Sequence, residues 1–117
     1  MDDNVRLQVV FFRTDAGTEP VRDWLKKLDP KDRKTIGEDI KTVQFGWPLG
    51  MPLVRKLDAN LWEVRSQLHR RIARVIFVVE SDLMVLLHGF IKKTQKTPVV
   101  DLNTSRKRLA QLKGKSP

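Results

Sequence analysis

Residues 86–98 read LLHGFIKKTQKTP and combine an apolar strand pattern with a run of cations. The stretch begins as an apolar strand, passes Gly89, and ends in Lys92, Lys93 and Lys96 without any acidic residue. Solvated lysines usually lie on polar helices or tails, whereas these lysines directly follow a strand of core composition. The pattern therefore predicts a buried strand that presents positive charge at its end, where phosphate can bind.

The preceding part of the chain predicts a strand followed by two helices. Residues 6–13 (RLQVVFFR) are β-branched and aromatic, which is typical of a strand. Thr18 and Asp29 are expected N-caps of the two helices, because a proline stands in the first helical turn after each of them. Residues 46–52 are rich in glycine and proline and predict a loop. The expected buried positions of the second helix are Ile36, Ile40, Val43 and Trp47.

The remainder predicts three strands and a final helix. The strands are residues 61–65, 72–80 and 83–92, and Thr97-Pro98 opens the helix. Its expected apolar stripe is Val99, Leu102, Leu109 and Leu112. Its basic tail, from about residue 106, contains Arg106, Lys107, Arg108, Lys113 and Lys115. The predicted fold is one α+β domain over residues 1–117: a small antiparallel sheet with a helical hairpin after its first strand and a C-terminal helix. The helices should cover one sheet face and leave the other face, or its end, available.

Composition narrows the classes of function. The chain has no Cys and only two His, which excludes disulfides and Cys-based zinc sites and disfavours a His-based metal site, so no metal or other cofactor is expected. Its net charge of +9 favours a polyanionic partner such as RNA, DNA or the ribosome. The alternatives are a basic protein with no nucleic-acid role and one neutralised by an acidic partner chain. The start MDDNVRLQ does not resemble a signal peptide, and no apolar stretch approaches ~20 residues, so the expected location is the cytoplasm.

Strand alternation sorts the polar residues by face. Glu63 and Arg65 share one face of their strand and should point outward, with Trp62 and Val64 in the core. Arg74 and the lysines that end the last strand are expected to join them. Strict alternation would also place Leu86, His88 and Phe90 together on one face of that last strand.

Such a cluster suits metal-free RNA cleavage, which requires a base for the ribose 2′-hydroxyl, cations for the phosphorane and an acid for the leaving 5′-oxygen. Glu63 is the best candidate base, and Arg65 and Arg74 suit bidentate contact with phosphate. A lysine at the strand end or His88 is the candidate acid. The candidate catalytic residues are Glu63, Arg65, Arg74, His88, Lys92 and Lys93. The candidate RNA-binding residues are Lys56, Arg70, Arg71, Lys96, Arg106 and Arg108.

Each candidate also has a purely structural interpretation. Glu63 and Arg65 can form a solvated pair, Arg74 can bridge an acid across the sheet, and His88 can simply pack in an apolar strand. If Arg74 serves RNA cleavage, Arg74→Ala should relieve the growth arrest that such cleavage causes on expression, while lowering the melting temperature by no more than a few degrees.

Together, LWEVR (residues 61–65), RIARVIF (residues 71–77) and LLHGFIKKTQKTP resemble the RelE/ParE superfamily of toxins from bacterial type II toxin–antitoxin modules, and most closely its HigB-like, phage-derived group. The resemblance extends over residues 9–112. It implies an mRNA interferase that cuts messages in the ribosomal A site, leaving a 2′,3′-cyclic phosphate and a 5′-hydroxyl. It also implies inhibition by a helix-turn-helix, HigA-like antitoxin, whose complex with the toxin represses its own promoter.

The resemblance assigns site residues by location. Glu63 and Arg65 lie on the strand that holds a base and phosphate-binding residues in RelE-like toxins, Arg74 lies where those toxins place a phosphate-stabilising arginine, and the lysine pair lies near a further cation. The chain has no Tyr, which some members stack on the target base. Two alternatives stay open: ParE-like poisoning of DNA gyrase, and a non-enzymatic RNA- or DNA-binding module.

Overall fold

The computed structural model describes residues 6–93 and 95–114, which form three helices and five strands. Lys115 of the predicted basic tail lies outside the described residues. No helix in the described part is long and apolar enough to cross a membrane. In chain order the elements are β1 (Gln8–Phe11), α1 (Pro20–Lys26), α2 (Pro30–Gly46), β2 (Val54–Asp58), β3 (Leu61–Leu68), β4 (Arg71–Glu80), β5 (Leu83–Lys92) and α3 (Val99–Gly114).

The five strands form one mixed sheet in the order β1-β5-β4-β3-β2. The predicted α+β class is confirmed, with the helix pair after the first strand and a helix at the C-terminal end. Two details differ from the prediction. β2, whose sequence VRKLD has little β-branched character, forms a hairpin with β3, and β1 pairs with β5 in parallel rather than antiparallel. β1 lies at the sheet edge and pairs with the last strand, β5. In the sequence, α1, α2 and the other three strands therefore lie between these two paired strands.

The helix starts follow their prolines, but only one predicted cap is correct. The Asp29 carboxylate accepts a hydrogen bond from the Lys31 backbone N–H at 2.9 Å and caps α2 as expected. Thr18 does not cap α1, whose N-cap position is Glu19 and has no side-chain cap. The Thr18 hydroxyl instead bonds the Thr14 hydroxyl at 2.7 Å, because the turn after β1 brings these two threonines together.

The main core lies between the helical hairpin and one face of the sheet. Three of the four predicted positions on α2 are confirmed, since Ile36, Ile40 and Val43 are buried. Trp47 directly follows the end of α2 and is partly buried. The three buried residues pack with the inward residues of β3, β4 and β5 and with the partly buried tryptophans. The ring of Trp24 lies flat against β5 at Gly89, where a β-carbon would fall 2.4 Å from two ring atoms.

Gly89→Ala is expected to destabilise the protein by about 1–3 kcal/mol, because the added methyl group must displace the Trp24 ring from the core. Chemical denaturation of both variants measures the change. Gly37→Ala is the matched control, since Gly37 is exposed in the interior of α2 and an added methyl group there would meet nothing within 4 Å. This control should be stabilising by about 0.5–1 kcal/mol. Equal stability of the two variants would contradict the close packing of Trp24.

The second face of the sheet is covered by α3, so of the two expected openings, this face or its end, the face itself is not available. Leu102, Leu109 and Leu112 pack on a second apolar cluster that contains Ile76 and Phe90. Val99 belongs to the predicted stripe but is 66% exposed. Asp101 in the first turn of α3 bonds His88 on the sheet, and Ser105 one turn later is fully buried, so this side of the helix faces the sheet while Val99 is exposed.

The face assignment of β5 is wrong at one position because the strand contains a bulge. His88 pairs with Ile76, and Leu86 pairs with Phe77, so Leu87 is the extra residue. As a result Leu86 lies in the main core, whereas Leu87 and Phe90 lie in the cluster under α3.

Candidate functional site

Glu63, Arg65 and Arg74 converge on the sheet face under α3. Glu63 and Arg65 are two residues apart on β3 and share a face, and Arg65 is the direct cross-strand partner of Arg74 on β4. The exposed fractions of the three residues are 0%, 9% and 0%. Of the predicted grouping, Glu63, Arg65 and Arg74 lie together, but their predicted outward orientation is wrong, since residues 95–97 lie over these side chains. We call these three residues the charge cluster.

The Glu63 carboxylate has a partner at each oxygen. Oε1 accepts a hydrogen bond from Arg65 Nη1 at 2.9 Å, and Oε2 accepts one from the Thr97 hydroxyl at 2.9 Å. A buried carboxylate requires such partners, because burial without them costs several kcal/mol. The sequence pattern marks Thr97 only as the start of α3 and gives no sign that it bonds a carboxylate.

The guanidinium groups of the charge cluster donate to carbonyl oxygens of the segment that precedes α3. Arg65 Nη2 donates to Gln95 Oε1 at 2.6 Å, and Arg65 Nη1 lies 3.3 Å from the Gln95 carbonyl oxygen. Arg55 on β2 donates to that same carbonyl at 3.2 Å. Arg74 Nη1 donates to the Lys96 carbonyl at 2.9 Å, and its guanidinium lies 5.8 Å from the Phe90 ring centroid. Neutral oxygens thus hold three arginines in place.

Electrostatics in the charge cluster favour an anion. Burial lowers the pKa of Arg74, with the nearby Glu63 carboxylate opposing that shift and the Arg65 and Arg55 guanidiniums adding to it. Two buried guanidiniums face one buried carboxylate, so positive charge is in excess within the cluster itself. The described residues contain no group of three or more His, Asp or Glu that could hold a metal ion.

His88 lies in the same layer but is fully engaged by α3. Its Nε2 lies 2.7 Å from Asp101 Oδ1, and its Nδ1 lies 3.3 Å from Arg108 Nη1. Because an arginine can only donate, Nδ1 is the acceptor and Nε2 carries the proton that is given to Asp101. Both ring nitrogens are thus used to fasten α3 to β5, which favours the packed, structural interpretation of this histidine.

Arg108 also fastens α3 to the sheet. Its Nη1 donates to the Leu87 carbonyl at 2.8 Å, on the residue that forms the bulge of β5. Burial lowers the pKa of Arg108. The geometry therefore gives this candidate RNA-binding residue a structural contact.

The other basic candidates are spread over the surface. Lys92, Lys93 and Lys96 are exposed where β5 leads towards α3, as the sequence predicts. Arg70 is exposed in the β3–β4 turn, with φ of 59°. Lys56 lies over the Trp62 ring, on the sheet face opposite the charge cluster.

Two further candidates are engaged in ion pairs. Arg71 Nη2 lies 2.8 Å from Asp32 Oδ2 and ties β4 to α2. Arg106 Nη2 lies 2.8 Å from Asp58 Oδ2, and this hydrogen bond, with a second one from the Ala59 backbone, lowers the pKa of the Asp58 carboxyl. Both pairs are substantially exposed and therefore contribute little to stability.

An open cleft of about 350 Å³ adjoins the charge cluster. Arg65 and Gln95 form the wall that it shares with the cluster, and its remaining lining residues are Asp39, Met51, Pro52, Leu53, Gln67 and Ile72. Sequence reasoning missed this cleft, because its lining comes from α2, two separate loop segments and two strands and follows no single periodicity.

Comparison with known proteins identifies the family of the chain. Residues 23–110, about three quarters of the chain, match the model of the family described as phage-derived protein Gp49-like (DUF891). That family is associated with RelE-type toxins of toxin–antitoxin systems. No curated protein matches the chain significantly. The chain thus belongs to the Gp49-like family of phage-derived proteins.

Proposed function

We propose that this protein is the toxin of a type II toxin–antitoxin module and that it cleaves mRNA on the ribosome. The observation that supports this proposal most strongly is the charge cluster. Burying Glu63, Arg65 and Arg74 together is unfavourable compared with apolar packing of similar volume, so stability alone does not account for it. An excess of guanidinium groups with a carboxylate beside them suits a phosphodiester substrate.

The proposed phosphate site is formed by Arg65 and Arg74. The oxygens of Gln95 and Lys96 that now accept from Arg65 and Arg74 are neutral, whereas phosphate oxygens are charged and form stronger hydrogen bonds with guanidinium. An RNA phosphate is therefore expected to replace these oxygens. This replacement would also move Thr97 away from Glu63 and free one carboxylate oxygen.

The proposed reaction is an internal displacement at phosphorus. Glu63 takes the proton of the ribose 2′-hydroxyl, the 2′-oxygen bonds to phosphorus, and the bond from phosphorus to the 5′-oxygen breaks. Arg65 and Arg74 stabilise the charge that develops on the phosphorane. The leaving 5′-oxygen takes a proton from Lys92 or Lys93, which are exposed at the end of β5 and directly after it. The products are a 2′,3′-cyclic phosphate and a 5′-hydroxyl.

The proposed partners follow from the same hypothesis. They are mRNA, the ribosome and a cognate helix-turn-helix antitoxin of the HigA-like type, with promoter DNA bound through the toxin–antitoxin complex. The net charge of +9 suits both the ribosome and an acidic antitoxin surface. The proposed location is the cytoplasm.

A second candidate function is binding without cleavage, as in poisoning of DNA gyrase or simple nucleic-acid binding. The observation in its favour is that both Glu63 oxygens already accept hydrogen bonds within the protein. In that case the carboxylate only positions Arg65, and the basic surface alone is functional.

Mapping of mRNA 5′ ends separates the two functions. After brief induction of the wild-type chain in bacteria, we expect new 5′-hydroxyl ends at fixed positions within codons of translated messages. Glu63→Gln should remove these ends, because an amide cannot act as the base, although it preserves the shape of the side chain. The melting temperature of the purified variant shows whether the loss reflects chemistry or unfolding. If a folded Glu63→Gln variant still cuts mRNA, another residue is the general base. If the wild-type chain arrests growth without producing new RNA 5′ ends, binding without cleavage is favoured.

A further inference from the structure

The cleft beside the charge cluster combines apolar and polar groups in a way that suits a nucleobase. Its volume of about 350 Å³ lies within the usual range for ligand-binding clefts, roughly 300–1,000 Å³. Met51, Pro52, Leu53 and Ile72 supply apolar surface against which a planar ring can lie. Polar groups of Asp39, Arg65, Gln67 and Gln95 complete the lining.

Asp39 is the distinctive residue of this lining. It lies on α2, half-buried, and its carboxylate makes no hydrogen bond or ion pair with any other residue in the described ranges 6–93 and 95–114. A carboxylate in a strongly basic protein would normally find a cationic partner. The two oxygens of Asp39 therefore stand ready to accept hydrogen bonds from a ligand in the cleft.

The Watson–Crick edges of the four RNA bases differ in what they offer to a carboxylate. Guanine presents two adjacent donors, N1–H and the N2 amino group, which match the two oxygens of Asp39. Adenine and cytosine present one amino group beside a ring nitrogen that would repel the second oxygen, and uracil presents a single N–H between two carbonyls. Guanine O6 would accept from Arg65, which uses three of its five N–H donors within the described structure.

We propose that this cleft binds a guanine of the RNA strand whose phosphate lies on the charge cluster, and that Asp39 determines this specificity. The inference rests on the proposed function. Arg65 lines the cleft and also bonds Glu63 in the charge cluster. A base in the cleft and its neighbouring phosphate on the cluster would therefore lie on the two sides of the Arg65 side chain. A well-made bidentate contact to a base edge corresponds to a preference of roughly 10- to 100-fold over the wrong base.

Binding of uncleavable RNA tests this proposal without requiring catalysis. The probes are fluorescein-labelled 2′-O-methyl hexamers UUGUUU, UUIUUU and UUAUUU, in which I is inosine, and binding to the full chain is followed by fluorescence anisotropy. The wild-type chain should bind the guanine hexamer about 10- to 100-fold more tightly than the adenine hexamer, with inosine between them because it lacks the N2 amino group. Asp39→Asn should reduce the guanine preference to within about threefold.

Glu38→Gln is the matched control, because Glu38 is the exposed neighbour of Asp39 on α2 and the substitution removes the same charge. It should keep the full preference. Equal binding of the three hexamers by the wild-type chain, or a preference that survives Asp39→Asn, would overturn the proposal. A third result would also overturn it: the wild-type chain binds no hexamer, and Asp39→Asn loses binding to the antitoxin. The cleft would then be a binding site for a protein.

The two hypotheses fail in different ways. A guanine preference without any mRNA cleavage in cells would exclude the nuclease and keep the base-binding cleft. Cleavage without a preference for guanine next to the cut would keep the nuclease and remove the specificity role of Asp39.

Discussion

Replacing Glu63 with Ala is expected to lower the free energy of unfolding by about 3–5 kcal/mol and the melting temperature by roughly 10 °C or more. Glu63 is fully buried, and the Arg65 side chain that bonds it is only 6% exposed. Removing the carboxylate leaves a buried guanidinium without a counter-charge and the Thr97 hydroxyl without its acceptor. Chemical denaturation measures the loss, provided that the variant is compared with wild type at equal ionic strength.

The double variant Glu63→Ala/Arg65→Met is the informative control for this expectation. If the cost of Glu63→Ala arises from the uncompensated charge, then removing Arg65 as well should recover part of the stability. A loss below about 1 kcal/mol for Glu63→Ala would mean that water reaches the pair freely and that the burial of this cluster is not maintained in solution.

The grouping of the charge cluster could be predicted because it depends only on the period of a strand. Glu63 and Arg65 are two residues apart, and a hairpin brings Arg74 opposite Arg65. Their burial could not be predicted in this way. It depends on residues 95–97 and α3 folding back over the sheet, and those contacts join positions that are about 30 residues apart in the chain.

The errors in the strand assignments have a similar origin. The bulge at Leu87 places the Leu86 side chain on the opposite face of β5 from the one that strict alternation predicts. The surrounding sequence is apolar, and no turn residue or charge in it marks the bulge. β2 was missed because its alternation of Lys56 and Asp58 with apolar residues is weak, and it forms only by pairing with the start of β3. The parallel pairing of β1 is likewise a property of the whole fold rather than of its own residues.

The cleft shows the limit of sequence reasoning for sites. Asp39 occurs on an amphipathic helix at a position that is ordinarily a solvated surface charge. Only the folded chain brings it beside Arg65 and Gln95. The lysines at the end of β5 represent the opposite case, since their exposure follows from the local sequence alone.

Arg74→Lys is expected to reduce mRNA cleavage by about 100-fold or more while leaving the protein folded. Lysine keeps the positive charge but loses the planar fork, so it cannot hold a phosphate oxygen and the Lys96 carbonyl in the geometry that Arg74 offers. Loss of one preorganised donor to a developing oxyanion typically costs about 10²–10³ in rate. Single-turnover cleavage of mRNA on programmed ribosomes measures the effect. Arg22→Lys is the matched control, because Arg22 is exposed on α1 and should retain full activity.

The lysine variant is the sharper test, because the burial of Arg74 changes what the alanine variant reports. The sequence alone predicts only a few degrees of thermal destabilisation for Arg74→Ala, as for a surface residue. With Arg74 fully buried, bonded to Lys96 and packed on Phe90, that substitution should cost about 2–4 kcal/mol and lose activity through unfolding. If a folded Arg74→Lys variant cleaves mRNA at the wild-type rate, the Arg74 guanidinium contacts only the protein. The phosphate would then have to lie on Arg65 and the exposed lysines at the end of β5.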